Sequence, residues 1–138
     1  MMVLVDTTIW SLALRRRTAR LNASELKLVE AWAALVESGL AALIGPIRQE
    51  ILSGIRREAV FDLIRDHLGD FAILPIEAGD YDEAARFYSV CRSRGISGTS
   101  IDMLICAVAS RHDVAIFTTD TDFDRYARCL PIRLYEPG

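Results

Sequence analysis

Four acidic residues at well-separated positions, with three threonines beside them, are the residues best suited to chemistry in this sequence. Asp6 ends the apolar run Met2-Val3-Leu4-Val5 and is followed by Thr7-Thr8. Glu50 falls in the second turn of the helix expected after Gly45-Pro46, and Asp102 in the first turn of the helix expected from Ser100. Asp120 closes Ala115-Ile116-Phe117-Thr118-Thr119, with Asp122 two residues on. Carboxylates gathered at one place repel one another, and a divalent cation removes that strain. A set of oxygen ligands without histidine or cysteine suits Mg2+ or Mn2+ rather than zinc, and such an ion keeps waters and accepts phosphate oxygens. Phosphodiester hydrolysis by metal-activated water fits this inventory, with a second ion about 4 Å away able to stabilise the leaving oxygen. The hydroxyls of Thr7, Thr8 and Thr118 are placed to orient the carboxylates or waters.

The surrounding pattern is that of strands alternating with helices. Met2 to Val5 reads as a buried strand, Thr8 to about Leu14 as a helix, and Asn22-Ala23-Ser24-Glu25 as a capping box for a helix that runs to Gly39. Leu40 to Ile44 is a second strand. The helix after Pro46 has the face Ile47, Ile51 and Ile55, and the next has Val60, Phe61, Ile64 and Leu68. Phe71 to Leu74 is a strand that Pro75 ends or confines to an edge. A helix from about Asp80 is expected to bury Tyr81, Ala84, Ala85 and Tyr88, whereas Asp62, Asp66, Asp70, Asp80, Asp82 and Glu83 fall on solvated faces or in loops. Ser100 caps a helix whose apolar face is Ile101, Leu104, Ile105 and Val108. The strand Ala115 to Phe117 follows, then a short helix with Phe123, Tyr126 and Ala127, then a last strand from Ile132 to Tyr135. Open parallel sheets bind ligands beyond the C-terminal ends of their strands, so adjacent first and fourth strands would bring Asp6 and Asp120 to one rim, within reach of Asp102 and Glu50.

Each acid also has a plainer role. Asp6 is positioned to cap the first helix, Asp120 or Asp122 the short helix around Phe123, while Asp102 suits a helix dipole and Glu50 a solvated helix face. Their shared rim is what favours the metal reading over these.

With 138 residues, the chain has the size of one domain, expected over residues 1–138. Half of the residues are hydrophobic and the mean hydropathy is +0.22, which hints at apolar surface covered by a partner. No transmembrane segment or signal peptide is apparent, so a cytoplasmic location is expected. Cys91, Cys106 and Cys129 lack the spacing of a disulfide framework or zinc site and are assigned to packing. The net charge of −3 does not mark a nucleic-acid binder, although acids used on a metal distort that balance. All basic residues but Lys27 are arginine; Arg15-Arg16-Arg17 is read either as a solvated helix end or as a phosphate contact. No G-x-S-x-G elbow, P-loop or G-x-G-x-x-G is present, and His67 and His112 are assigned to the surface.

Taken together, Val5-Asp6-Thr7-Thr8-Ile9-Trp10, Pro46 to Gly54, Asp102 to Ala107 and Phe117 to Phe123 resemble, in order, the four motifs of the PIN-domain family, in particular its VapC-type toxin ribonucleases of bacterial type II toxin–antitoxin pairs. The resemblance implies a three-layer α/β/α sandwich with a mostly parallel central sheet. It also implies a Mg2+ site formed by Asp6, Glu50, Asp102 and Asp120, with Mn2+ able to substitute and Asp122 as an accessory acid. Metal-dependent endoribonuclease activity, a homodimer and a small VapB-like antitoxin covering the active site follow from the same likeness. Thr8 and Cys106 stand where the family more often has serine or asparagine and alanine. Two other readings compete: a non-catalytic PIN-like module that holds an antitoxin on operator DNA, and a metal-dependent phosphatase acting on small esters.

Overall fold

A computed structural model describes residues 1–15 and 20–138. Four strands, β1 (Val3–Val5), β2 (Ala41–Leu43), β3 (Ala72–Ile73) and β4 (Ala115–Phe117), form one sheet in the order β3-β2-β1-β4. Every pairing is parallel, so the sheet is wholly rather than mostly parallel. The described residues also form helices α1 (Thr7–Arg15), α2 (Ala23–Glu37), α3 (Gly45–Ser53), α4 (Glu58–Leu68), α5 (Ala78–Ser93), α6 (Ser100–His112) and α7 (Asp122–Tyr126). Helix α1 packs on α2 and α3, and α3 on α4, while α5 packs along α6. This is the expected α/β/α sandwich. None of the described helices is long and apolar enough to cross a membrane.

Strands β1 and β2 are buried at every position, which is why they read as unbroken apolar runs rather than alternating ones. The register Val5↔Phe117 sets β1 beside β4. It brings their C-terminal ends, and the residues just beyond them, to one rim. Strand β3 is short, exposed and at the edge, as Pro75 suggested. Ile132 to Tyr135 does not form the expected strand: a single bridge joins Leu134 to Ile116, with Ile116 N–H donating to the Arg133 carbonyl and Tyr135 N–H to the Ile116 carbonyl. The ladder goes no further toward Ile132 because Val114 N–H is taken by the Ala109 carbonyl and Ile132 N–H by the Leu130 carbonyl.

The capping box at Asn22 forms as read, with Asn22 Oδ1 accepting from Glu25 N–H at 2.8 Å. Helix α3 stops at Ser53 with Gly54 as its cap, so Ile55 falls outside it and only Ile47 and Ile51 make its buried face. Helix α6 is capped by Thr99, not Ser100: the Thr99 hydroxyl accepts from Asp102 N–H at 3.0 Å. Its burial is also wider than a single stripe. Residues Met103 to Ala109 are all buried, whereas Ile101 is 39% exposed, because the helix runs through the core and only its two ends reach the surface.

Helix α5 is rotated from the expected face. Asp80, Ala84, Phe87 and Cys91 are buried, while Tyr81 is 57% and Tyr88 41% exposed and Ala85 is exposed. The reason is electrostatic. Asp80, expected in solvent, is 2% exposed and receives two hydrogen bonds from Arg111 of α6, at 2.7 and 3.0 Å, plus one from Glu77 N–H. A buried carboxylate needs such partners, and meeting Arg111 fixes the rotation of α5. On the other flank, buried Trp10 donates from Nε1 to the Val5 carbonyl and packs edge-on against Trp32 and Phe71. That contact ties the start of α1 to the end of β1, the junction that carries Asp6.

Candidate metal centre

Beyond the C-terminal ends of β1 and β4, the chain forms a cavity of about 990 Å3 whose walls include Asp6, Glu50, Asp102 and Asp120. All four expected acids therefore face one space. Within it the structure draws a distinction that sequence spacing did not. Asp102, Asp120 and Asp122 each place a carboxylate oxygen within 4.8 Å of the others, and all three are half-buried. Asp6 and Glu50 line the same cavity but lie outside this tight trio. Asp122, expected as accessory, belongs to the trio; it also forms a very short ion pair with Arg125 of its own helix, so part of its charge is already balanced.

The threonines hold the acids. Thr118 Oγ1 donates to Asp6 Oδ2 at 2.7 Å and accepts from Asp120 N–H at 3.0 Å, joining the two strand ends through one hydroxyl. Thr7 donates to Glu50 Oε2 at 3.1 Å, linking α1 to α3. Thr8 Oγ1 lies 3.4 Å from both Asp6 Oδ2 and Thr118 Oγ1 and accepts from Thr119 N–H at 3.1 Å. Asp120 in turn accepts from Asp122 N–H at 2.9 Å, which fixes the turn into α7.

Two contributors were missed from the sequence. Tyr126, read as packing, donates its phenolic hydrogen to Asp102 Oδ2 at 2.8 Å. Thr99, one residue before the expected cap Ser100, holds the Asp102 backbone as described. The clue to Tyr126 is its position four residues after Asp122, one helical turn on and so on the same side of α7.

Burial pushes the Asp6 carboxyl above the ordinary carboxylate range; the bonds from Thr118 and Thr7 N–H oppose the rise, and the charges of Asp102 and Glu50 add to it. Burial also raises Asp102, against the bonds from Tyr126 and Thr99, with Asp120 and Asp122 adding repulsion. Desolvation and the bond to Asp102 push the Tyr126 phenol up, so it remains a donor. The donor set fits a hard divalent cation: clustered carboxylate oxygens, a 7% exposed Asp6 short of compensating charge, and no basic side chain among the described residues lining the cavity. Arg16 and Arg17 lie outside the described residues, and Arg15 is the last residue of α1.

Residues 3–128 match the family model described as PIN domain. The chain belongs to the PIN-domain family. It is 33% identical over 129 residues to the VapC ribonuclease Mb1587 of Mycobacterium bovis and to ribonuclease VapC11 of Mycobacterium tuberculosis, covering 92% of both chains in each case. In fold it is similar to FitAcB from Neisseria gonorrhoeae, with a TM-score of 0.73 at 19% identity over 99% of this chain and 98% of that one. It is also similar to VapBC2 from Rickettsia felis bound to a DNA fragment from its promoter, with a TM-score of 0.77 at 15% identity over 98% of both chains.

Proposed function

We propose that this protein is a VapC-like toxin, a Mg2+-dependent endoribonuclease whose single domain spans residues 1–138. The observation that carries the reading is that Asp102 and Asp120, clustered with Asp122, line the same cavity as Asp6 and Glu50, in a chain 33% identical to VapC ribonucleases. Asp102 and Asp120, with Asp6 and Glu50 beside them, hold the ion, and Mn2+ takes its place where available. When bound, the ion supplies Lewis-acid charge that acidifies water and neutralises phosphate oxygens. The chain's own residues supply the rest. Thr118 keeps Asp6 oriented and favours its ionised form, Tyr126 keeps Asp102 from rotating, and Thr7 holds Glu50 at the cavity wall. Asp122, paired with Arg125, positions the loop that carries Asp120.

The partners in this reading are RNA as substrate, a second copy of the chain in a homodimer, and a small VapB-like antitoxin that covers the acids, all in the cytoplasm. One observation favours a second reading: the VapBC2 neighbour is bound to promoter DNA, so a non-catalytic role beside a DNA-binding antitoxin is the alternative.

The test is a cleavage assay on oligoribonucleotides with Mg2+, with chelator, and with Asp102→Asn. Cleavage that needs the metal and is lost in the folded variant supports the nuclease. Equal cleavage by the variant overturns the site, turnover of small phosphomonoesters alone points to a phosphatase, and no cleavage by antitoxin-free wild type favours the non-catalytic role.

A further inference from the structure

All three cysteines are free thiols, and folding brings two of them together. Cys91 lies in the last turn of α5 and Cys129 three residues past α7, 38 residues apart in sequence, yet their sulfurs are 3.6 Å from each other. We propose that Cys91 and Cys129 are a reversible oxidation site, a dithiol that peroxide converts into a disulfide tying α7 to the end of α5.

The two sulfurs are placed for different parts of the reaction. Cys91 is fully buried, and desolvation raises its pKa, so it keeps its proton and is shielded from solvent oxidants. Cys129 is partly exposed and is the sulfur a small peroxide can reach. Its thiolate attacks one peroxide oxygen and breaks the O–O bond, giving a sulfenic acid and, after protonation of the leaving hydroxide, one water. Cys91 sulfur then attacks Cys129 sulfur; the S–O bond breaks, and the departing hydroxide takes the Cys91 proton to leave as a second water. Two thiols and one hydrogen peroxide thus become one disulfide and two waters: the thiols lose two electrons and the peroxide gains them. The sulfurs close from 3.6 Å to about 2.05 Å, a shift of about 1.5 Å. Exchange with a low-molecular-weight thiol reverses the step.

The bond has structural consequences because of what it anchors. Cys129 N–H donates to the Tyr126 carbonyl at 3.1 Å, and Leu130 N–H to the same carbonyl at 2.8 Å. Helix α7 is only five residues long and is otherwise held by the packing of Phe123 and Tyr126 and by the Tyr126 hydrogen bond to Asp102. A crosslink directly behind it stabilises the helix against local opening, chiefly by restricting the unfolded chain.

The test treats the reduced full-length protein with stoichiometric hydrogen peroxide at neutral pH, followed by intact mass, tryptic mapping and thermal melting. None of these readouts depends on nuclease activity. The expected result is loss of two hydrogens, a crosslink between peptides Phe87–Arg92 and Cys129–Arg133, a melting temperature higher by about 5 °C, and reversal of all three by dithiothreitol. In Cys129→Ser both the crosslink and the melting response should be absent. Gain of oxygen without a crosslink, pairing with Cys106 or with a second chain, a crosslink that leaves melting unchanged, or an unaltered melting response in Cys129→Ser each overturns the proposal.

Discussion

Tyr126 donates a 2.8 Å hydrogen bond to Oδ2 of Asp102 from a ring that is fully buried and set edge-on against Phe123. The phenol cannot swing away without leaving the core, so one oxygen of Asp102 is fixed by the protein and the other is left for a ligand. Tyr126→Phe retains the ring and removes only the donor. Metal affinity is expected to fall about tenfold, the cost typical of losing a group that orients a ligand, with the circular dichroism spectrum unchanged. Half-saturation of RNA cleavage by Mn2+ reads this directly, and an unchanged midpoint would exclude a positioning role for the hydroxyl.

Asp6 and Asp102 both have carboxyl groups raised by burial and by neighbouring acids. In metal-free protein, the folded state therefore binds protons more tightly than the unfolded chain. The contribution of these two groups to stability is fully present below the ordinary carboxylate value of 3.8 and is lost as pH climbs through the raised folded values. Asp102→Asn removes part of that cost. At pH 7 in chelator it should melt a few degrees above wild type. Mg2+ should raise the melting temperature of wild type and leave the variant unmoved; a variant that melts lower than wild type in chelator would contradict the repulsion.

Thr118 bonds Asp6 with its hydrogen and Asp120 N–H with its oxygen. The bond to Asp6 favours the ionised carboxylate, so Thr118→Val, nearly equal in shape, should push Asp6 further up. The pH at which Mn2+ binding reaches its midpoint is expected to move upward, and RNA cleavage near neutrality to drop by about tenfold. Identical pH profiles for the two proteins would remove Thr118 from the site.

The pair Asp80–Arg111 makes the opposite prediction. Hydrogen bonding to Arg111 holds the Asp80 carboxyl below the usual carboxylate range, so its contribution is present above 3.8 and disappears as pH falls through the lowered folded value. Asp80→Asn should melt lower by about 5 °C at pH 7, since the buried position loses the charge that Arg111 binds and keeps only a weaker neutral acceptor. The gap should close in strong acid. A constant difference from pH 7 to pH 2 would argue that packing rather than charge sets the effect.

The elements whose signals are local were readable from the sequence. Asn22 and Glu25 form their box, Gly39 takes the positive φ its turn requires, and the buried runs at Val3 and Ala41 form parallel strands. Contacts made only in three dimensions were hidden. The face of α5 was misjudged because Tyr81 and Tyr88 look like core residues until Arg111, 31 residues from Asp80, turns the helix. The membership of Asp122 in the acid trio depends on the tight Asp120 turn, and the role of Tyr126 depends on where α7 lands, neither of which spacing encodes. The order of the sheet decided the rest. Asp6 and Asp120 share a rim because β1 pairs with β4, an adjacency that was assumed from the alternation of strands and helices and that the register Val5↔Phe117 supplies.

That same pairing governs when the centre can exist during synthesis. Thr118, which steadies Asp6, comes 112 positions after it, and the trio draws on Asp120 and Asp122. A nascent chain whose last strand is still inside the ribosomal exit tunnel has no assembled acid cluster. The acid cluster therefore assembles only once the segment after α6 has emerged, rather than gradually as the polypeptide lengthens.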